Sequence, residues 1–131
     1  MGNGGYVFMD INKAKILICD DSVLARKQLK DVIFTIGKPE VFEAKDGEES
    51  VELYKKEVPD LIFLDIVMPK LDGRAVLKQI LEENENAKVV IVSSVGTQEV
   101  LMETLKLGAV DFVQKPFSEL QIINALTKAF C

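Results

Sequence analysis

Five short apolar runs alternate along the chain with five segments in helical spacing, and this alternation limits the folds that the chain can adopt. Three of the runs are apolar throughout: residues 16–19, 61–64 and 89–92. Such continuous runs are typical of parallel strands that helices cover on both faces. The two other runs, at residues 41–42 and 110–113, contain or adjoin acidic residues, which is typical of strands at a sheet edge.

The segments between the runs have the apolar periodicity and the end signals of helices. Ser22, Thr97 and Ser118 stand where N-caps belong, and Gly37 and Gly108 stand where helices end. The predicted helices cover approximately residues 23–36, 46–57, 73–81, 97–107 and 118–130.

The alternation predicts an α/β protein with an open five-stranded parallel sheet, doubly wound as (βα)5. Five units are too few for a closed eight-stranded barrel. With the three most apolar strands in the centre, the strand order is the flavodoxin-like 2-1-3-4-5. Residues 1–12, which begin with a Gly-rich stretch, are predicted to be a flexible tail, and residues 13–131 to form one domain.

The 131 residues include no histidine, which excludes Ser-His-Asp catalysis and His-ligated zinc or haem. A net charge of −5 argues against direct binding to nucleic acid or to a membrane surface. The two cysteines, Cys19 and Cys131, do not form a disulfide framework. Because the chain also lacks the pattern of a signal peptide, we expect it in the cytoplasm.

Charged and hydroxyl side chains follow four of the five predicted strands, at the edge where open α/β sheets bind ligands. They are Asp20 and Asp21 after the first strand, Asp65 after the third, Ser93 after the fourth and Lys115 after the fifth. Three carboxylates in one crevice repel one another, and a hard cation such as Mg²⁺ relieves this repulsion. Together with a lysine and a hydroxyl they could cradle a phosphoryl group, and one carboxylate could attack it to form an acyl phosphate.

Four motifs carry a resemblance to a known family: residues 18–22, 64–73, 91–94 and 108–117. Over residues 13–131 the chain resembles the receiver domain of two-component response regulators, in the single-domain chemotaxis-type size class. The resemblance implies a phosphoprotein that switches between two states rather than an enzyme, although it would assist its own Mg²⁺-dependent phosphorylation and dephosphorylation.

The resemblance also implies a role for each acidic residue of the crevice. Asp65 would accept the phosphoryl group from a phosphohistidine of a sensor histidine kinase or a phosphotransfer protein. Mg²⁺ would be bound by Asp21 and Asp65, by Asp20 through a water molecule, and by the backbone carbonyl of Val67.

Further positions are implied to bind the phosphoryl group and to transmit its presence. Lys115 would pair with one phosphoryl oxygen, and the Lys115–Pro116 peptide bond is expected to be cis. Ser93 would donate a hydrogen bond to another phosphoryl oxygen. Phe112 occupies the aromatic switch position, so that Ser93 and Phe112 together would reshape the surface that a downstream effector protein binds.

The sequence alone does not identify the signalling pathway in which the chain acts. The chain is expected to be a monomer or weak dimer that acts by binding other proteins, since the receiver uses nearly all of its length. The alternative is the excised receiver of a longer response regulator with a separate output domain. Candidate docking residues are Val23, Arg26 and Lys27 for the kinase, and Met102, Lys106 and Phe112 for the effector.

Two apolar residues, Val67 and Val95, stand two positions after Asp65 and Ser93, where the family often has polar residues. They predict slow loss of the phosphoryl group. Val67 also argues against a dehalogenase-type phosphotransferase, which needs a second Asp at that position. A nucleotide or flavin binder is disfavoured because no Gly-rich phosphate loop occurs. A pseudo-receiver is disfavoured because it would lack one of the residues that this chain keeps.

Overall fold

The computed structural model of the protein describes residues 10–130, within which five strands alternate with five helices. All strand pairs are parallel and their order is β2-β1-β3-β4-β5, so the predicted flavodoxin-like sheet is confirmed. The elements are β1 Lys15–Cys19, α1 Val23–Ile36, β2 Glu40–Ala44, α2 Gly47–Glu57, β3 Leu61–Leu64, α3 Gly73–Glu83, β4 Val89–Ser93, α4 Gln98–Leu107, β5 Asp111–Gln114 and α5 Glu119–Phe130.

The sheet separates two apolar cores, and this explains why its central strands are apolar without alternation. Side chains of β1 point in turn to opposite faces: Ile16 and Ile18 pack with α1 and α5, whereas Leu17 and Cys19 pack with α2 and α3. Since both faces are covered, every residue of β3 and β4 is buried.

The predicted helix ends are made by the residues that signalled them. Ser22 Oγ accepts a hydrogen bond from the Ala25 amide at 3.1 Å, and Thr97 caps α4 in the same way. Ser118 and Gln121 cap α5 reciprocally, each side chain accepting from the backbone amide of the other residue. These caps fix where α1, α4 and α5 begin after the carboxyl edge of the sheet.

The two edge strands differ from their predicted bounds by one or two residues. β2 is longer than the apolar pair at 41–42, because hydrogen bonds to β1 extend over five residues whatever their side chains. β5 begins at Asp111, one residue later than predicted, because its pairing with β4 begins with Asp111 beside Val90.

Residues 1–9 of the predicted tail, and Cys131, lie outside the described residues. Residues 10–12 contact the domain: Ile11–Lys13 form a 3-10 helix, and Asn12 Oδ1 accepts a hydrogen bond from the Lys38 amide at 2.8 Å. Ile11 packs against the core beneath α1 and α5. Within residues 10–130, no helix is long and apolar enough to cross a membrane.

Candidate functional site

Three carboxylates converge at the carboxyl edge of the sheet, as the sequence predicted. Asp20 and Asp21 follow β1, and Asp65 follows the neighbouring strand β3. One oxygen from each side chain lies within 4.8 Å of the other two. Asp20 and Asp65 are buried and Asp21 is exposed, so the cluster forms an acidic crevice that opens to solvent on the Asp21 side.

Lys115 enters the crevice from the end of β5. Its Nζ donates to Asp20 Oδ2 at 2.5 Å and to Asp65 Oδ2 at 3.1 Å. Burial lowers the pKa of Lys115, but the hydrogen bonds and attraction of Asp20 and Asp65 outweigh burial, so its pKa lies above the ordinary value. The Lys115–Pro116 peptide bond is cis, as expected. The ammonium therefore stays charged and bridges the two buried carboxylates.

Ser93 ends β4 beside this cluster and is fully buried. Its Oγ accepts a hydrogen bond from the Val95 amide at 3.3 Å, and its carbonyl accepts from the Lys115 amide at 2.9 Å. The main chain thus links the predicted hydroxyl ligand to the lysine. No hydrogen bond joins Ser93 to a carboxylate of the crevice within residues 10–130, so its hydroxyl proton is not committed to Asp65 in this state.

The loop after β3 carries Asp65 and Val67. The Val67 amide donates to Asp65 Oδ1 at 3.3 Å, while the Val67 side chain is 56% exposed at the mouth of the crevice. The far end of the loop is tied to α2: Lys70 Nζ lies 3.6 Å from Asp46 Oδ2, and the Gly47 amide donates to the Pro69 carbonyl. These contacts hold the loop on the α2 side of the sheet.

Phe112 lies in β5 opposite Ile91 of β4, half-buried against the core beneath α2 and α3. It shares β5 with the strand end that leads into Lys115. Val100 of α4 packs against the same core as Phe112, so the predicted switch residue lies on the face of the sheet that α4 covers.

Arg26 is less exposed than the other two residues of the predicted kinase-docking set. Val23 and Lys27, its companions in the predicted kinase-docking set, are exposed. The Arg26 side chain is only 13% exposed, because it donates to Glu43 and to the backbone carbonyl of Asp20. The position of Arg26, one helical turn after the Ser22 cap, indicated that its side chain could reach the end of β1. The sequence did not indicate the ion pair with Glu43, which lies 17 residues further along the chain.

The donor set of the crevice fits Mg²⁺. Its atoms are carboxylate oxygens, the ligand type that this ion prefers. Three carboxylates and the Lys115 ammonium leave two uncompensated negative charges, which a divalent cation balances. The arrangement could therefore hold a hard divalent cation.

The pairing of Lys115 predicts a pH dependence of stability. A pKa raised in the folded state means that the stabilisation is complete below the unfolded pKa of about 10.5 and is lost as pH rises through the folded pKa. Without Mg²⁺ we expect Lys115→Met to lower the free energy of unfolding at neutral pH by about 2 kcal/mol, less than for a fully enclosed pair. Urea denaturation should show that the difference in the free energy of unfolding between the original protein and Lys115→Met shrinks above about pH 10.5. A difference that stays constant up to pH 12 would contradict this.

Comparison with known proteins places the chain in a family. Residues 16–127 match the family described as response regulator receiver domain. The chemotaxis protein CheY of Thermotoga maritima is 40% identical over 114 residues, which cover 87% of this chain and 95% of that protein. A protein-glutamate methylesterase/protein-glutamine glutaminase of Archaeoglobus fulgidus is 42% identical over 117 residues, which cover 87% of this chain and 33% of that protein.

A solved structure agrees with both fold and sequence. The crystal structure of a CheX–CheY–BeF3–Mg²⁺ complex from Borrelia burgdorferi contains a chain that superimposes with a TM-score of 0.86 at 35% identity. The superposition covers 90% of each chain.

Proposed function

This chain belongs to the family of response regulator receiver domains, and from that membership we propose that it is a phosphorylation-dependent switch with Asp65 as its phosphoacceptor. The observation that carries the proposal is the meeting of Asp65 with Asp20, Asp21 and Lys115 in one crevice. A carboxylate nucleophile, oxygen ligands for a metal and a fixed cation are the parts that phosphoryl transfer to an aspartate needs.

In the proposed reaction, an Asp65 carboxylate oxygen attacks the phosphorus of a phosphohistidine. A P–O bond forms, the P–N bond breaks with its electron pair going to the imidazole, and an acyl phosphate results. Lys115, already 3.1 Å from Asp65 Oδ2, pairs with a phosphoryl oxygen. Asp20, Asp21, Asp65 and the carbonyl of Val67 would hold Mg²⁺, which would supply electrostatic stabilisation of the charge on the transferring group.

The phosphoryl group changes what Ser93 and Lys115 bind. It adds acceptor oxygens beside Asp65, and the Ser93 hydroxyl is free to donate to one of them. Ser93 Oγ can donate this bond while it still accepts from the Val95 amide, now at 3.3 Å, so a shift of Ser93 toward the phosphoryl group would draw Val95 with it. We propose that this movement of the β4–α4 loop and a shift of Phe112 change the surface of α4 that an effector protein binds, at Met102 and Lys106.

The partners in this proposal are a sensor histidine kinase or phosphotransfer protein and an effector protein. We propose that the chain works in the cytoplasm as a monomer or weak dimer, without direct contact to nucleic acid or membrane, which its net charge of −5 supports. The alternative, a receiver within a longer regulator, keeps the same chemistry. Relatives of both kinds occur: the match covers 95% of the length of one relative and 33% of the length of another.

The proposal is tested by incubating the protein with acetyl phosphate and following the mass of the intact chain. We expect one phosphoryl group per chain, in the presence of Mg²⁺ and not after chelation with EDTA. Transfer from a phosphorylated histidine kinase tests the physiological donor. Absence of labelling with both donors, in a protein shown to be folded by circular dichroism, would overturn the proposal.

Slow loss of the phosphoryl group is a separate prediction. Val67 is 56% exposed beside Asp65, and Val95 is half-buried next to Ser93. Neither side chain offers a hydrogen bond that could orient a water molecule for attack on the acyl phosphate. After removal of the donor we expect a lifetime of minutes or longer, and a shorter lifetime in Val67→Asn, measured by the decay of the phosphorylated mass peak. A lifetime of seconds in the original protein would contradict the prediction.

A further inference from the structure

Arg26 connects the acidic crevice to the edge of the sheet. From the start of α1 its Nη1 donates to the backbone carbonyl of Asp20 at 2.7 Å. Its Nε donates to Glu43 Oε1 on β2 at 2.8 Å. The guanidinium therefore uses two separate donors to join the end of β1 to the neighbouring strand, a geometry that the rigid fork of arginine provides and a single ammonium does not.

The carbonyl that Arg26 binds belongs to the peptide group between Asp20 and Asp21. Asp20 has other anchors, since its amide donates to the Ala44 carbonyl and its Oδ1 accepts from the Ser22 amide. The carboxylate of Asp21, in contrast, makes no hydrogen bond or ion pair within residues 10–130. Its position is set by the backbone alone, and Arg26 is the side chain that fixes the peptide plane preceding it.

Glu43 holds the guanidinium in this place. Its second carboxylate oxygen accepts from Lys30 Nζ at 2.8 Å. The hydrogen bonds from Lys30 and Arg26 hold the pKa of Glu43 below its usual range, so it is an anion at neutral pH. In the register of the sheet Glu43 lies beside Ile18, one residue before the end of β1. The carboxylate is thus placed to orient Arg26 toward the Asp20 carbonyl.

We propose that Arg26 is a positioning residue for the metal site: through the Asp20 carbonyl it holds the Asp21 carboxylate where it binds Mg²⁺. The inference rests on the proposed function, because it assumes that Asp21 is a metal ligand. Arg26 itself does not touch the metal or the phosphoryl group. Groups that orient metal ligands typically change metal affinity by about 10–100-fold when they are removed.

Because Arg26 is a cation, the direction in which its replacement changes the Mg²⁺ affinity tests the proposal. A cation close to a metal site repels Mg²⁺, so an influence through charge alone would make binding tighter when the cation is removed. A positioning role has the opposite sign, because the mobile Asp21 carboxylate must be ordered each time Mg²⁺ binds. Arg26→Met keeps the buried aliphatic stem and removes both donors, whereas Arg26→Lys keeps the charge.

The experiment is titration of the full chain with Mg²⁺ by isothermal calorimetry, without a phosphodonor. We expect the Kd to rise about tenfold in Arg26→Met and to rise, by less, in Arg26→Lys. With acetyl phosphate, the Mg²⁺ concentration for half-maximal labelling should rise similarly, while the rate at saturating Mg²⁺ stays near that of the original protein. The matched control is Lys30→Met, which removes a cation from the same Glu43 and leaves the Asp20 carbonyl bond intact, so its Kd should not rise.

A Kd that is unchanged or lower in the Arg26 variants overturns the inference, as does an equal rise in Lys30→Met. If Arg26→Met fails to fold, the Kd of Arg26→Lys for Mg²⁺ decides whether the inference holds. Asp21→Asn separates this inference from the proposed function. If Asp21→Asn binds Mg²⁺ as well as the original protein, the proposed metal site itself is wrong. If Asp21→Asn loses Mg²⁺ binding and the Arg26 variants do not weaken it, only the role of Arg26 is wrong.

Discussion

Replacing Asp65 by asparagine is expected to abolish labelling by acetyl phosphate in the presence of Mg²⁺. The amide has the size of the carboxylate but no anionic oxygen to attack phosphorus, so the acyl phosphate cannot form. Asp65 is buried, and the substitution leaves Asp20, the other carboxylate that Lys115 contacts, in place, so the crevice should keep one ion pair and the chain should fold. Intact-mass measurement should show no phosphorylated species.

The matched control is Asp72→Asn, the same substitution at the other end of the loop. Asp72 is exposed and caps α3 by accepting from the Arg74 amide at 2.8 Å, a bond that asparagine also accepts. Labelling of Asp72→Asn should therefore proceed as in the original protein. Labelling of Asp65→Asn at the rate of the control would mean that another side chain is the acceptor, and the assignment of Asp65 would be wrong.

The fold was predictable because two sequence features, the apolar runs and the polarity of the other runs, both depend on the position of a strand in the sheet. Continuous apolar runs identify strands covered on both faces, and the polarity of the remaining two runs assigns them to the edges, as the order β2-β1-β3-β4-β5 confirms. The cluster of Asp20, Asp21 and Asp65 followed from the same argument, since parallel strands end at one edge and residues after neighbouring strands must meet.

Contacts that depend on register were not predictable from the sequence. Arg26 and Glu43 meet because β1 and β2 pair with Ile18 beside Glu43, and an offset of one residue would point Glu43 to the other face of the sheet. The bounds of the edge strands were missed for a related reason. Their hydrogen bonds continue past the apolar residues that marked them, as at Glu40 and Gln114.

Gly73 is the position where one added methyl group should do the most damage to the site. A Cβ on Gly73, the first residue of α3, would lie 2.1 Å from the carbonyl oxygen of Asp65 and 2.6 Å from Cα of Ile66. Both are backbone atoms of the loop that carries Asp65, and the Gly73 amide also donates to the Ile66 carbonyl at 2.8 Å. Relief of the clash therefore requires the backbone at Asp65 to move or α3 to shift away from it.

We expect Gly73→Ala to lower the free energy of unfolding by about 3 kcal/mol, at the upper end of the range for overpacking, and to slow labelling of Asp65 at saturating Mg²⁺. Gly96→Ala is the matched control, because its Cβ would lie 2.1 Å from Nε2 of Gln114, the far end of an exposed side chain that can rotate away. We expect Gly96→Ala to change the free energy of unfolding by no more than about 0.5 kcal/mol. Urea denaturation compares the two variants, and equal losses in both would show that the backbone at Asp65 yields as easily as a surface side chain, contrary to the close packing of this loop.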